Sequence, residues 1–118
     1  MRILIVDDIP ALGKVLTRIL KDHDTLYVDS VEAARDAVAR QPFDLVLSDV
    51  MLGRETGADL HRWLTEHHPH LAARAVFLTG CITDPEAADY IMATGNQVIA
   101  KPFTVEEVRA AVGGATVL

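Results

Sequence analysis

Five short apolar runs punctuate the chain: ILIV from Ile3, LYV from Leu26, LVL from Leu45, AVFL from Ala75 and VIA from Val98. They recur roughly every 20 to 30 residues, each of strand length. The segments between them have helical spacing. Leu12, Val15, Leu16, Ile19 and Leu20 follow an i, i+3, i+4, i+7, i+8 pattern that predicts one buried helix face. Val31, Ala34 and Val38 repeat it more weakly, as do Leu60 and Leu64, with Trp63 beside them to cover the core. Strand and helix thus alternate five times, which argues for a parallel sheet covered on both faces. The near-continuous apolar strands agree, because such strands are buried on both sides.

Helix boundaries support the same reading. Asp84-Pro85-Glu86 offers an N-cap, a first-turn proline and an early acid. Thr104 and Glu107 have capping-box spacing ahead of Val108 and Val112, and Gly113-Gly114 is expected to stop the last helix.

The 118 residues predict one domain, 1–118, with no linker, low-complexity tract or output module. A net charge of -6 leaves no basic footprint for nucleic acid and no polybasic patch for a membrane surface. Cys81 is the single cysteine, so no internal disulfide is possible and a reducing compartment is expected. No apolar run approaches the ~20 residues of a membrane span. Asp7 and Asp8 interrupt the first run too early for a signal peptide. The expected location is the cytoplasm.

In an open parallel sheet all strands end at one edge, and ligands bind outside those carboxyl ends. Strand one ends in Asp7-Asp8, strand three in Ser48-Asp49, strand four in Thr79-Gly80 and strand five in Lys101-Pro102. Three carboxylates, a hydroxyl and an ammonium therefore converge on one crevice. Adjacent carboxylates repel, and one holds its proton unless a cation sits between them. Three acids suit a hard divalent cation such as Mg²⁺. A lysine and a threonine beside them are what an incoming phosphoryl group requires, and an aspartate can attack phosphorus to become an acyl phosphate.

The set IVDD, LVLSDVMLGRETG, FLTG and AKPF resembles the receiver domain of two-component response regulators across essentially the whole chain. That resemblance implies an α/β, flavodoxin-like fold: a doubly wound five-stranded parallel sheet, (βα)5, of order 2-1-3-4-5. It makes Asp49 the phosphoacceptor, with Mg²⁺ held by Asp7, Asp8, Asp49 and the backbone carbonyl of Met51. Asp8 would be a direct ligand and Asp7 would act partly through water. Thr79 and Lys101 would contact the phosphoryl oxygens, and the Lys101-Pro102 bond would be cis. The implied donor is a histidine kinase or phosphotransfer protein. Residues 77–103 also resemble receivers at the C-terminal end of hybrid sensor histidine kinases, so the parent could be such a kinase.

Two positions depart from the family pattern. Val98 stands where a Tyr or Phe usually swings as the threonine engages phosphate, which puts that switch in question here. Gly53 stands where proline is commoner, and is expected to loosen the loop after Asp49. Other features have bland readings. His67, His68 and His70, with His61 earlier, could bind zinc but are expected to lie in solvent at a helix end stopped by Pro69. Cys81 is expected as a small rim residue beside the crevice; with Met51 it flanks the site entry in the family. Tyr90 falls opposite Ala88, Ile91 and Met92, so it is expected to be exposed and available to a downstream protein.

The leading function is therefore a phosphoaccepting switch, and not an enzyme acting on external substrates. An aspartate-nucleophile phosphatase would place D-x-D after its first strand, where this chain has Asp-Asp. The alternative is a receiver-like interaction module that is not phosphorylated; such modules usually lose an acid, the threonine or the lysine.

Overall fold

Alternate residues of strand β1 (Arg2–Val6) feed two different hydrophobic cores, which explains why the strand is apolar throughout. Ile3 and Ile5 pack with Leu45, Leu47, Val76, Leu78 and Ile99 on one face of the sheet. Leu4 and Val6 pack with Val46, Ala75 and Phe77 on the other. This is the period-2 alternation of a strand covered on both sides.

The computed structural model describes residues 1–80 and 82–115. After β1 come α1 (Pro10–Ile19), β2 (Asp24–Val28), α2 (Val31–Arg40), β3 (Leu45–Asp49), β4 (Met51–Leu52) and β5 (Glu55–Thr56). Then follow α3 (Gly57–His67), α4 (Pro69–Ala73), β6 (Ala75–Thr79), α5 (Pro85–Thr94), β7 (Val98–Ala100) and α6 (Val105–Ala115). The main sheet has order β2-β1-β3-β6-β7, with every neighbouring pair parallel. Without the short β4–β5 hairpin this is the expected 2-1-3-4-5 order of a doubly wound sheet. Leu16, Ile19 and Leu20 with Val108, Ala111 and Val112 cover the face of Ile3 and Ile5. Helices α2, α3, α4 and α5 cover the opposite face through Val31, Ala34, Val38, Leu60, Leu64, Leu71 and Ile91.

The predicted caps form. Asp84 accepts from the amides of Glu86 (3.0 Å) and Ala87 (3.2 Å). Thr104 and Glu107 bond reciprocally, at 3.2 and 3.1 Å. The Lys101-Pro102 bond is cis.

Five details differ from expectation. Helix α6 runs through Gly113 and Gly114 instead of stopping there. Neither glycine has the positive φ of a helix-ending residue, whereas Gly95, at φ +73°, does end α5. Val15 is 42% exposed. The buried stripe of α1 centres on Leu16 between Gly13, Ile19 and Leu20, and Val15 lies roughly a third of a turn away. Gly53 does not loosen its loop. At φ +81° it is the first central residue of the tight β4–β5 hairpin, where a positive then a negative φ demands glycine.

The remaining two concern α5 and the histidines. The buried residues of α5 are Ala87 and Ile91, so Met92 turns to solvent at 77% exposure and Tyr90 turns inward, half-buried. The Tyr90 hydroxyl lies 2.7 Å from His61 Nδ1, and Arg62 sits 4.4 Å above its ring. His61 is correspondingly buried, not solvated, with Nε2 3.0 Å from the Ala72 carbonyl. His67 and His70 are exposed as expected; Trp63 packs on the core and against the rings of His67 and His68.

Burial pushes the His61 imidazole below its ordinary 6.5. Since the Ala72 carbonyl can only accept, Nε2 carries the proton and Nδ1 accepts from Tyr90. As pH falls from 6.5 towards the lowered value, the unfolded chain gains a proton that the native chain excludes. Stability is therefore lost across that window on acidification. Urea midpoints measured through it should show this component in the wild type and lose it in His61→Gln.

Candidate functional site

The site begins where β1 runs out of apolar residues. Asp7 is 0% exposed and Asp49, the last residue of β3, is 6% exposed, while Asp8 reaches solvent. Carboxylate oxygens of the three lie within 4.8 Å of one another. Among the described residues no other group of this kind occurs. Asp7 Oδ1 accepts from the Ile9 amide at 2.9 Å, which fixes the side chain and leaves Oδ2 buried with no hydrogen bond.

Lys101 supplies the local cation. Its Nζ bonds Asp49 Oδ2 at 2.7 Å and stands 3.7 Å from Asp7 Oδ2. Its own amide donates to the Thr79 carbonyl at 2.7 Å, which seats Lys101 beside the end of β6. Thr79 is half-buried, and its hydroxyl makes no hydrogen bond among the described residues. Met51 opens the β4–β5 hairpin one residue beyond Val50. The structure thus gathers Asp7, Asp8, Asp49 and Lys101, with Thr79 on the adjoining strand. Cys81 lies outside the described residues.

One ammonium faces three carboxylates, so the charge is not balanced. Burial raises the Asp7 pKa above its ordinary 3.8; the Ile9 amide and Lys101 oppose this, while Asp49 and Asp8 add to it. A hard divalent cation fits this set: all donors are oxygens, and the innermost oxygen has no hydrogen-bond partner.

Some residues that shape the site carry no local signal in the sequence. Gly57 opens α3 directly behind Asp49. A Cβ there would stand 2.6 Å from the Asp49 carbonyl oxygen and 3.1 Å from Val50 Cα, both backbone atoms that cannot step aside. Thr56 and Asp59 form a capping box over this first turn, and the Gly57 amide donates to Val50 at 2.6 Å. Gly57→Ala should cost roughly 1–3 kcal/mol by forcing β3 and α3 apart, measured as a fall in urea midpoint. A midpoint equal to the wild type would show that the contact can relax freely. The TG of ETG could have suggested a helix start, but not the close approach. Arg35 of α2 likewise clamps the hairpin through Glu55 at 2.8 Å, and Tyr27 donates to the Asp7 carbonyl at 2.7 Å.

Comparison with known proteins decides the family. The profile of the response regulator receiver domain matches residues 3–113. The chain belongs to that family. This receiver is 32% identical over 104 residues to the response regulator protein FleR of Pseudomonas aeruginosa, covering 86% of the chain and 22% of FleR. It is 37% identical over 73 residues to the sensor histidine kinase GacS of Pseudomonas protegens, covering 57% of the chain and 8% of GacS. The chain therefore spans less than a quarter of each of these relatives. In fold it is similar to a CheY-like receiver domain protein from Methanospirillum hungatei, with a TM-score of 0.87 at 21% identity, over 98% of this chain and 92% of that one. The receiver fold and its two-component role are thus established, and its site residues can be read in those terms.

Proposed function

We propose that this receiver takes a phosphoryl group onto Asp49 from the phosphohistidine of a kinase or phosphotransfer protein. The phosphorus–nitrogen bond of the donor breaks as a bond forms to an Asp49 oxygen, and hydrolysis of the acyl phosphate later returns the carboxylate. The observation that carries this reading is the Lys101–Asp49 contact of 2.7 Å inside an acid cluster whose buried Asp7 oxygen has no hydrogen bond. Asp7, Asp8 and Asp49, with the Met51 carbonyl, would hold Mg²⁺. Bound there, the ion offsets the charge of the transferring group. Lys101 and the uncommitted Thr79 hydroxyl supply the positive charge and the donor for its equatorial oxygens.

Residues 1–118 act in this reading as one receiver unit that needs a donor and a separate element to read its state. A hybrid-kinase parent is one source of both, consistent with the likeness to GacS. The surface for a downstream partner lies on α5, with Met92 as its apolar element now that Tyr90 is turned inward. The donor chemistry fits the cytoplasm, and no described helix is long and apolar enough to cross a membrane.

The test is intact mass after incubation with a small acyl-phosphate donor. With Mg²⁺ the protein should gain the mass of one phosphoryl group and lose it again once the donor is removed. With a chelator the gain should vanish. No gain in the presence of Mg²⁺ would reject phosphoacceptor function and leave a receiver-shaped interaction module.

A further inference from the structure

The neighbouring strand holds the backbone on both sides of Asp7. The Asp7 amide donates to the Val28 carbonyl at 3.2 Å, and the Asp7 carbonyl accepts from the Tyr27 hydroxyl at 2.7 Å. That carbonyl belongs to the peptide unit from which Asp8 departs. The bond from the Ile9 amide to Asp7 Oδ1, at 2.9 Å, brackets the Asp8 backbone in a turn, but the Asp8 carboxylate is exposed and makes no hydrogen bond or ion pair among the described residues. The direction in which Asp8 leaves the strand end therefore depends on this peptide plane together with that turn, and Tyr27 pins the plane.

The Tyr27 ring reaches the carbonyl only because α1 presents Gly13 at the contact. A Cβ at position 13 would overlap the ring carbons. Gly13 is buried in the middle of a helix, where glycine is about 1 kcal/mol worse than alanine. The ring's approach accounts for its presence.

We propose that Tyr27 is a positioning residue for the cation site: its hydroxyl, seated over Gly13, fixes the Asp7–Asp8 peptide and so aims the Asp8 carboxylate at Asp7 and Asp49. The inference rests on reading the three acids as a cation site. Tyr27 touches neither the ion nor the phosphoryl group and acts through the peptide alone. This gives β2, an edge strand with no residue in the acid cluster, a part in building the site.

Mg²⁺ titration calorimetry on the wild type, Tyr27→Phe and Gly13→Ala tests it, with thermal midpoints of the metal-free proteins recorded alongside. Phenylalanine keeps the ring and its packing and removes only the hydroxyl. Tyr27→Phe should bind Mg²⁺ on the order of tenfold more weakly, and the Asp8 backbone amide should shift its NMR resonance in the metal-free protein. Gly13→Ala should show the same loss, and the double variant no more than either alone. A purely structural role predicts a lower midpoint with unchanged Mg²⁺ affinity and an unmoved Asp8 amide, and that result would overturn the proposal. If Gly13→Ala does not fold, Tyr27→Phe decides alone. A wild type that binds no Mg²⁺ would overturn both the cation site and this inference. Full affinity in Tyr27→Phe overturns only the latter.

Discussion

An Asp49→Asn chain is expected to fold normally and to take up no phosphoryl group. Asparagine fills the same volume, and its amide oxygen can still accept from Lys101, which holds Asp49 at 2.7 Å. The change gives up the charged pair with Lys101 but also removes the repulsion of Asp7 by Asp49, so the two effects oppose each other in the metal-free fold. What disappears is the anionic oxygen that, in the proposed function, attacks phosphorus. Uptake from an acyl-phosphate donor should fall by about 10³-fold or more, read as the missing mass gain beside an unchanged circular dichroism spectrum. An undiminished gain in Asp49→Asn would mean that another residue is the acceptor.

Asp7→Asn should act in opposite directions on metal binding and on stability. Asp7 is fully buried, its Oδ2 lacks a hydrogen bond, and burial with two neighbouring acids raises its pKa. Such a carboxylate strains the metal-free fold, and an uncharged amide of the same shape should recover about 1–3 kcal/mol. The same oxygen is the innermost donor of the proposed cation site, so Mg²⁺ affinity should collapse. For the wild type, Mg²⁺ at a hundred times its dissociation constant should add about 2.7 kcal/mol; for Asp7→Asn it should add nothing. Urea denaturation of both proteins, with and without Mg²⁺, reads all four values. If Asp7→Asn is the less stable protein without metal, the acid is a structural anchor and not a strained ligand.

The pH sign for Asp7 is opposite to that for His61. With its pKa raised above 3.8, native Asp7 keeps a proton that the unfolded chain has already released. Metal-free stability is therefore lost as pH rises from 3.8 through the raised value.

What the sequence revealed follows from which patterns are local. The strand-end acids, Thr79 and Lys101 could be found because a parallel sheet brings all its carboxyl ends to one edge. The cap at Asp84 and the box at Thr104 could be read because each lies within one turn of its partner. Val15, Met92 and Tyr90 lie elsewhere than their spacing suggests, because α1 and α5 each offer more than one apolar face and tertiary packing chooses between them. Choosing the Ala87 stripe over Ala88 brings Tyr90 onto His61, 29 residues away. Gly13, Gly57 and Tyr27 are set by contacts between elements, which no spacing rule records. Gly113 and Gly114 look like a stop signal, but their backbone stays helical.

The order of the sheet also controls when the chemistry becomes available. The pairs that close the site join β1 to β3, β3 to β6 and β6 to β7, and Lys101 enters only after β7 docks beside Thr79. Asp7 and Asp8 follow the first strand of the sheet, whereas the ammonium that faces them follows the last, β7, which lies at the sheet edge. A molecule with β7 undocked thus carries the acids without the ammonium that offsets them. Under the proposed function, a loosened edge strand would therefore disarm the site while leaving all three acids in place.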